Sequence, residues 1–241
     1  MGQARDDRRS VTDPDHVSLS DAYALETPDD NRNLYARWAH TYDTEFVQAQ
    51  GYEYPLRIAD IFIGVAAGRN LLATPDNPVL DVGCGTGNVA SGLTGQGAPW
   101  VIEGVDISRA MLDRAATKKR PGGNDVYRQL FEADLTKPVD ALNARYSAVV
   151  SAGTFTHGHL GPEALDGMVK FGGPAAVFVI GINAEHYRTH GFGEHLNGMI
   201  VKGVIHDLQT LTIDMYLPES PHSGDQAIVA VFTTHLQSWA P

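Results

Sequence analysis

Short apolar runs alternate with helical stretches over most of this chain, and each run stops at a cluster of glycine or polar residues. Val79–Val82 and Val101–Asp106 predict buried strands, short apolar runs rich in β-branched residues, and Val126–Phe131, Tyr146–Ser151 and Ala175–Gly181 predict three further strands. Helical stretches fall between them: Leu56–Ala67, a turn starting near Asn88, one after Ser108, and Pro162–Phe171 with proline at its start. Short helices follow over 185–191 and 193–202. A long hairpin then pairs Val204–Tyr216 with Gln226–Leu236 across a turn rich in Pro, Ser and Gly. Strands alternating with helices in this way predict an α/β fold, a doubly wound parallel sheet.

Ahead of this alternation the pattern differs. Tyr35, Trp38, Tyr42 and Phe46 recur every three to four residues, and Thr27-Pro28-Asp29-Asp30 has the form of a helix start with Thr27 as cap. Residues 1–18 are charged and poor in apolar side chains, which predicts a flexible tail.

The densest chemistry lies where the first strand ends. Val79-Leu80-Asp81-Val82-Gly83-Cys84-Gly85-Thr86-Gly87 runs from apolar residues into three alternating glycines, and a helix follows. Glycine accepts positive φ and lets a ligand approach the backbone. The free N–H groups of a helix start favour an anionic or polar ligand. A dinucleotide loop requires G-x-G-x-x-G/A, but the third glycine comes one place early and Asn88 stands at the final position. A P-loop requires Gly-Lys-Ser/Thr, which is absent.

Hydrophobic-Asp-x-Gly-x-Gly-x-Gly resembles the first motif of class I S-adenosylmethionine-dependent methyltransferases. Two later segments agree with it. Gly104-Val105-Asp106-Ile107-Ser108, followed by Met111-Leu112, is similar to the family's ribose motif, and Glu132-Ala133-Asp134-Leu135 to its adenine motif. The resemblance implies a Rossmann-like seven-stranded sheet of order 3-2-1-4-5-7-6 with one antiparallel strand. It implies cofactor contacts from Asp81, Gly83, Cys84, Gly85, Thr86 and Gly87, from Asp106, Ile107, Ser108 and Met111, and from Ala133, Asp134, Leu135 and Ser151. Asp106 would hold the ribose hydroxyls and Asp134 the adenine amine, and Ser108 would cap the next helix. Tyr-x-x-Trp-Ala-x-x-Tyr-Asp resembles an N-terminal lid helix, so Tyr35, Trp38 and Tyr42 are read as lid residues, with plain core packing as the alternative. The expected division is a tail at 1–18, a helical lid at 19–70 and a cofactor-binding domain at 71–241.

A sulfonium methyl is already activated, so the reaction needs alignment, exclusion of water and at most one base. The loop after the fourth strand supplies candidates. His157 and His159 are the best base candidates in the chain: His157 is read either as general base or as polar surface, and for His159 polar surface is favoured over a base. Thr154, His157, Asn183, Tyr187 and His195 are expected on the acceptor side. The Asp/Asn-Pro-Pro-aromatic motif of methyltransferases acting on nucleobase amines or glutamine amides is replaced here by Ser151-Ala152-Gly153-Thr154. Phe171 likewise stands where relatives carry proline.

Composition narrows the class. The 241 residues hold one substantial core, and a net charge of −11 argues against a nucleic-acid partner, which points to a small-molecule acceptor. The single cysteine, Cys84, excludes an internal disulfide and fits a reducing, cytoplasmic setting, with the thiol a buried filler. Neither a membrane span nor a secretory signal is expected. His186, His190 and His195 lack the geometry and companion acid of a zinc site, so no metal is expected. Two rival readings remain: a protein that binds S-adenosylmethionine or S-adenosylhomocysteine without transferring methyl, and an NAD-dependent oxidoreductase.

Overall fold

The computed structural model describes residue 17 and, between 21 and 235, all residues except 23, 26, 72, 73, 96 and 157. The tail expected at 1–18 therefore lies, apart from residue 17, outside the described residues.

A seven-stranded sheet of order β3-β2-β1-β4-β5-β7-β6 organises the chain. Its strands are β1 Val79–Val82, β2 Ile102–Asp106, β3 Tyr127–Glu132, β4 Tyr146–Phe155, β5 Gly172–Asn183, β6 Ile205–Asp214 and β7 Gln226–Thr234. β7 runs antiparallel to both neighbours, β5 and β6, while the other pairings are parallel. Order and direction match the expectation.

The central strands are buried on both faces, so their apolar side chains sort by alternation. Val79, Ala148 and Val150 join the core on one side, and Leu80, Val82 and Val149 the core on the other. The first core also takes in Leu34, Trp38, Phe46 and Tyr52 from the aromatic segment and Ile58 and Phe62 from a helix at Tyr54–Gly68. The N-terminal segment is thus continuous with the sheet's own core.

Helix α1 (Pro28–Trp38) begins as its sequence requires. The Thr27 side chain accepts from Asp30 N, Asp30 answers with a bond from Thr27 N, and Pro28 occupies the first turn. The helical spacing of the aromatics does not continue as α-helix. Tyr42–Gln48 forms a π-helical segment in which Ala49 N donates to Thr44 O, and Phe46 is its buried residue. Helix α2 is Tyr54–Gly68, α3 Asn88–Gly95, α4 Arg109–Ala115, α5 Ala164–Met168, α6 Ala184–Thr189 and α7 Phe192–Val201.

Several boundaries differ from expectation: β5 runs Gly172–Asn183 rather than Ala175–Gly181, and β6 ends at Asp214 rather than Tyr216. β4 continues past Ser151 to Phe155 through an irregular register, with Gly153 at φ +80 providing the bend. The helix expected over Pro162–Phe171 is shorter, because Val169–Phe171 tightens into a 3₁₀ turn. The order reverses between β1 and β4, which both neighbour the same crevice at their C-terminal ends, where open α/β sheets bind ligands.

Candidate active site

A cavity of about 230 Å³ opens at that crevice. Gly83 and Gly85 from the glycine turn form one wall. Asp106, Ile107 and Met111 follow β2, and Ala133, Asp134 and Leu135 follow β3. Ala152, Gly153 and Thr154 come from the end of β4, and Tyr35 and Tyr42 close the side facing α1. Three strand ends separated widely in sequence thus present their motifs to one space.

The turn is built for close approach. Gly83 has φ +62 and Gly85 φ +52, a region that costs other residues strain. At Gly83 a Cβ would lie 2.0 Å from Thr154 Oγ1, so that glycine is required by packing. At Gly85 a Cβ would meet no atom within 4 Å, and the residue lines the cavity, so its backbone borders open space.

Asp106 is held in place by its own backbone surroundings. Its Oδ2 accepts from Gly85 N at 2.8 Å and its Oδ1 from Ser108 N at 2.8 Å. Burial raises its pKa above the ordinary value, although these N–H bonds work to lower it. Asp134 Oδ1 accepts from Thr136 N at 3.0 Å and Thr136 Oγ1 at 2.6 Å, and Oδ2 lies 3.0 Å from Lys137 Nζ and 3.6 Å from Arg32. Its burial raises the pKa, but the bonds from Thr136 and Lys137 outweigh that and leave it low. Asp134 therefore faces the cavity as a firmly ionised, well-occupied acceptor.

Several expected cofactor residues frame the cavity without lining it. The Asp81 carboxylate is fully buried and accepts from Tyr127 Oη at 2.7 Å. Cys84 is buried against Gly104, and the Ser108 hydroxyl is spent capping α4 at Met111 N. Ser151 Oγ donates to Val82 O at 2.8 Å, which ties β4 to the glycine turn. Gly87, at φ +91, packs against Tyr127. Trp38 is buried between Tyr42 and Phe46, with ring centroids 5.0 and 5.1 Å away. Thr86 Oγ1 donates to Asp43 Oδ1 at 2.6 Å.

On the expected acceptor side, Thr154 lines the main cavity. Asn183 lines a smaller adjoining one of about 50 Å³, but its side-chain oxygen caps α6 by accepting from Glu185 N and His186 N. Tyr187 and His195 reach neither: the Tyr187 ring stacks on Phe192, and His195 Nε2 lies 3.1 Å from Asp166 Oδ1. The reason is that α6 and α7 turn these side chains toward each other and toward α5. His157 lies outside the described residues.

The structure gives a place to one residue read mainly as surface, His159, and adds one that sequence reasoning passed over, Asp43. His159 lines both cavities and sits 3.1 Å from the Tyr35 hydroxyl. Asp43 accepts from Thr86, Asn88 and Lys118 and so fastens the π-helical segment to the glycine turn. Asp43 does close the Tyr-Asp pair of the lid motif, which was a usable signal. Among the described residues there is no group of three His, Cys, Asp or Glu that could hold a metal, and no helix long and apolar enough to cross a membrane.

Comparison with known proteins agrees with this geometry. Residues 79–171 match the family described as methyltransferase domain, a segment that includes the glycine turn, Asp106 and Asp134. An 80-residue stretch is 42% identical to an 18S rRNA (guanine-N(7))-methyltransferase of Bos taurus, covering 31% of this chain and 27% of that enzyme. The magnesium protoporphyrin IX methyltransferase of Synechocystis, solved with bound S-adenosylmethionine, aligns over 87% of this chain and 98% of its own with a TM-score of 0.59 at 18% identity. An S-adenosylmethionine-dependent methyltransferase of Clostridium acetobutylicum aligns over 83% and 99% with a TM-score of 0.58 at 16% identity. Residues 79–171 therefore match a methyltransferase domain, and the chain has the Rossmann-like fold seen in these solved S-adenosylmethionine-dependent methyltransferases.

Proposed function

We propose that this protein is an S-adenosylmethionine-dependent methyltransferase acting on a small-molecule acceptor. The observation that carries the reading is the pairing of Gly85, whose backbone borders open space, with Asp106, whose carboxylate is fixed by Gly85 N and Ser108 N at the same wall. Those residues fit the cofactor. Asp106 would take the ribose hydroxyls, the Gly83–Gly85 turn the methionine portion, and Ile107, Met111, Ala133 and Leu135 the adenine faces. Asp134 would accept from the adenine amine, with the bonds from Thr136 and Lys137 holding it ionised.

When bound, S-adenosylmethionine supplies a methyl group already activated by its sulfonium. The chain's contribution is to orient, to exclude water and to receive a proton. Tyr35 and Tyr42 line the cavity with electron-rich rings suited to a neighbouring cation. The net charge of −11 and the absent Pro-Pro motif support a small acceptor. The stretch shared with an rRNA methyltransferase favours RNA as a second reading.

Calorimetry with S-adenosylmethionine, S-adenosylhomocysteine and NAD tests the cofactor. Tight NAD binding without affinity for the sulfur nucleosides would sink the proposal. Incubation with methyl-labelled cofactor and cell extract, split into low-molecular-mass, RNA and protein fractions, tests the acceptor. Label confined to RNA refutes a small molecule, and cofactor binding with label in no fraction indicates a binding protein.

A further inference from the structure

Behind the main cavity, the smaller one forms a chamber walled by Trp38, Phe46, Tyr52, Tyr54, Phe155 and Tyr216. Tyr35, Tyr42, Gly153 and His159 line both spaces, so the two are neighbours across these residues. The chamber lies at the ends of β4 and β5, beside the crevice assigned above to the cofactor. Its lining holds no Asp, Glu, Lys or Arg among the described residues. Burial, and next the proximity of other tyrosines, hold the Tyr42 and Tyr52 hydroxyls protonated far above neutral pH. They act as donors.

This lining discriminates between acceptor classes. Ring faces attract a cation, but the lining offers an ammonium group no carboxylate to accept its N–H bonds or its proton. A hydroxylated ring would find aromatic faces and edges for its carbons and phenol donors for its oxygen as charge develops there. At about 50 Å³ the chamber takes the reacting edge of such a ring and leaves the remainder toward the opening.

A proton must also leave a phenolic acceptor, and one group at the boundary can take it. The Tyr35 hydroxyl lies 3.1 Å from His159 Nε2, within direct hydrogen-bond reach, and the two rings are 5.7 Å apart. The carboxylates of the main cavity are committed elsewhere: Asp106 to Gly85 and Ser108, and Asp134 to Thr136, Lys137 and Arg32.

We propose that the aromatic chamber binds the hydroxyl edge of a phenol-type acceptor and that Tyr35 and His159 form the relay that removes its proton. This rests on the methyltransferase reading above. The acceptor's O–H passes its proton to the Tyr35 oxygen while the Tyr35 proton moves to His159 Nε2. The freed oxygen pair forms the bond to the methyl carbon, and the pair of the breaking carbon–sulfur bond stays on sulfur. The imidazolium then returns its proton to water, which balances the charge lost by the sulfonium.

The test separates ionisation from turnover. Protein saturated with S-adenosylhomocysteine, verified by calorimetry, is mixed with 4-nitrophenol at a pH where the free probe is mostly protonated. The expected result is growth of the nitrophenolate absorption band on binding. In H159Q and in Y35F, also saturated, the band per bound probe should fall by about tenfold, the ratio corresponding to one unit of apparent pKa. Using both variants protects the test from misfolding of either one, because calorimetry reports which is folded. Probe that binds un-ionised, that ionises equally in H159Q, that fails to bind, or that benzylamine outcompetes overturns the proposal while the cofactor reading stands. Failure of wild-type protein to bind S-adenosylhomocysteine overturns both.

Discussion

The Asp43 carboxylate accepts from the Thr86 hydroxyl at 2.6 Å, joining the π-helical segment to the second-last residue of the glycine turn. The same carboxylate takes Lys118 Nζ at 2.7 Å and Asn88 Nδ2 at 3.0 Å. A motif expected to touch cofactor through its aromatics thus also sets the turn on which the cofactor would rest.

Replacing Asp43 with Asn should therefore disturb two properties. The amide would turn donors toward donors, leaving the buried Thr86 hydroxyl or Lys118 short of a partner at a cost of about 1–3 kcal/mol. Burial raises the Asp43 pKa, but the bonds from Lys118, Thr86 and Asn88 outweigh it and hold the group low. Its stabilising contribution is therefore complete at neutral pH and is lost as pH falls below about 3.9 through the lower folded value. Urea denaturation at pH 7 should show the loss in D43N, and calorimetry a weaker affinity for S-adenosylhomocysteine. Unchanged values for both would show that the latch is idle.

Gly85→Ala and Gly83→Ala should part company. Both positions have positive φ and carry strain of about 1–2 kcal/mol when substituted. At Gly85 the added methyl points into open space, so the protein should stay folded while affinity for S-adenosylhomocysteine drops. At Gly83 it strikes Thr154 Oγ1, which bonds Val82 O at 3.0 Å, so overpacking of about 1–3 kcal/mol should add to the strain. Thermal melts and calorimetry on both variants check the contrast. Equal affinity in G85A and wild type would show that the cradle holds no ligand.

What was legible in the chain was local. Each cofactor motif ends a strand, two of them buried and the third, β3, a half-exposed edge strand, so Gly83–Gly87, Asp106 and Asp134 were located from the sequence, and the parallel sheet brought the three ends together. The cap at Thr27 was legible for the same reason. Contacts across long separations were not. The loop after β4 offers His159 as a base candidate, but its partner Tyr35, 124 positions away, comes into view only when β4 and α1 fold the two together. Asn183, Tyr187 and His195 followed a strand end and so suggested a binding wall, but α6 and α7 consume them in a cap, a ring stack and a contact with Asp166. Helical aromatic spacing was equally unable to reveal the π-helical turn that carries Asp43 to the glycine loop.

Asp106→Asn should weaken cofactor binding without unfolding the protein. The amide preserves the side chain's shape but loses the charge and one acceptor, and hydrogen bonds to a charged group contribute about 1.5–3 kcal/mol. A ten- to hundredfold rise in the dissociation constant of S-adenosylhomocysteine follows from that range, at about 1.4 kcal/mol per tenfold. If Asp106 reads the ribose, D106N should also bind the 2′-deoxy analogue nearly as well as the parent. Wild-type affinity in D106N would refute the assignment.

Asp81 gives the fold a pH dependence opposite in sign to that of Asp43. Burial pushes its pKa up to about 7, while the bond from the Tyr127 hydroxyl lowers it only in part. The folded state therefore holds a proton on Asp81 that the unfolded chain releases near pH 3.9. Stability from this group is fully present below about pH 4 and is lost as pH rises toward about 7, beyond which the penalty is constant. The shift of about three units corresponds to on the order of 4 kcal/mol. Asp81→Asn cannot ionise and still offers an oxygen to Tyr127, so it should remove this slope. Urea denaturation at several values between pH 5 and 8 should show wild type losing stability relative to D81N as pH rises. Parallel curves for the two proteins would mean that Asp81 is ionised throughout that range and that its charge is compensated within the fold.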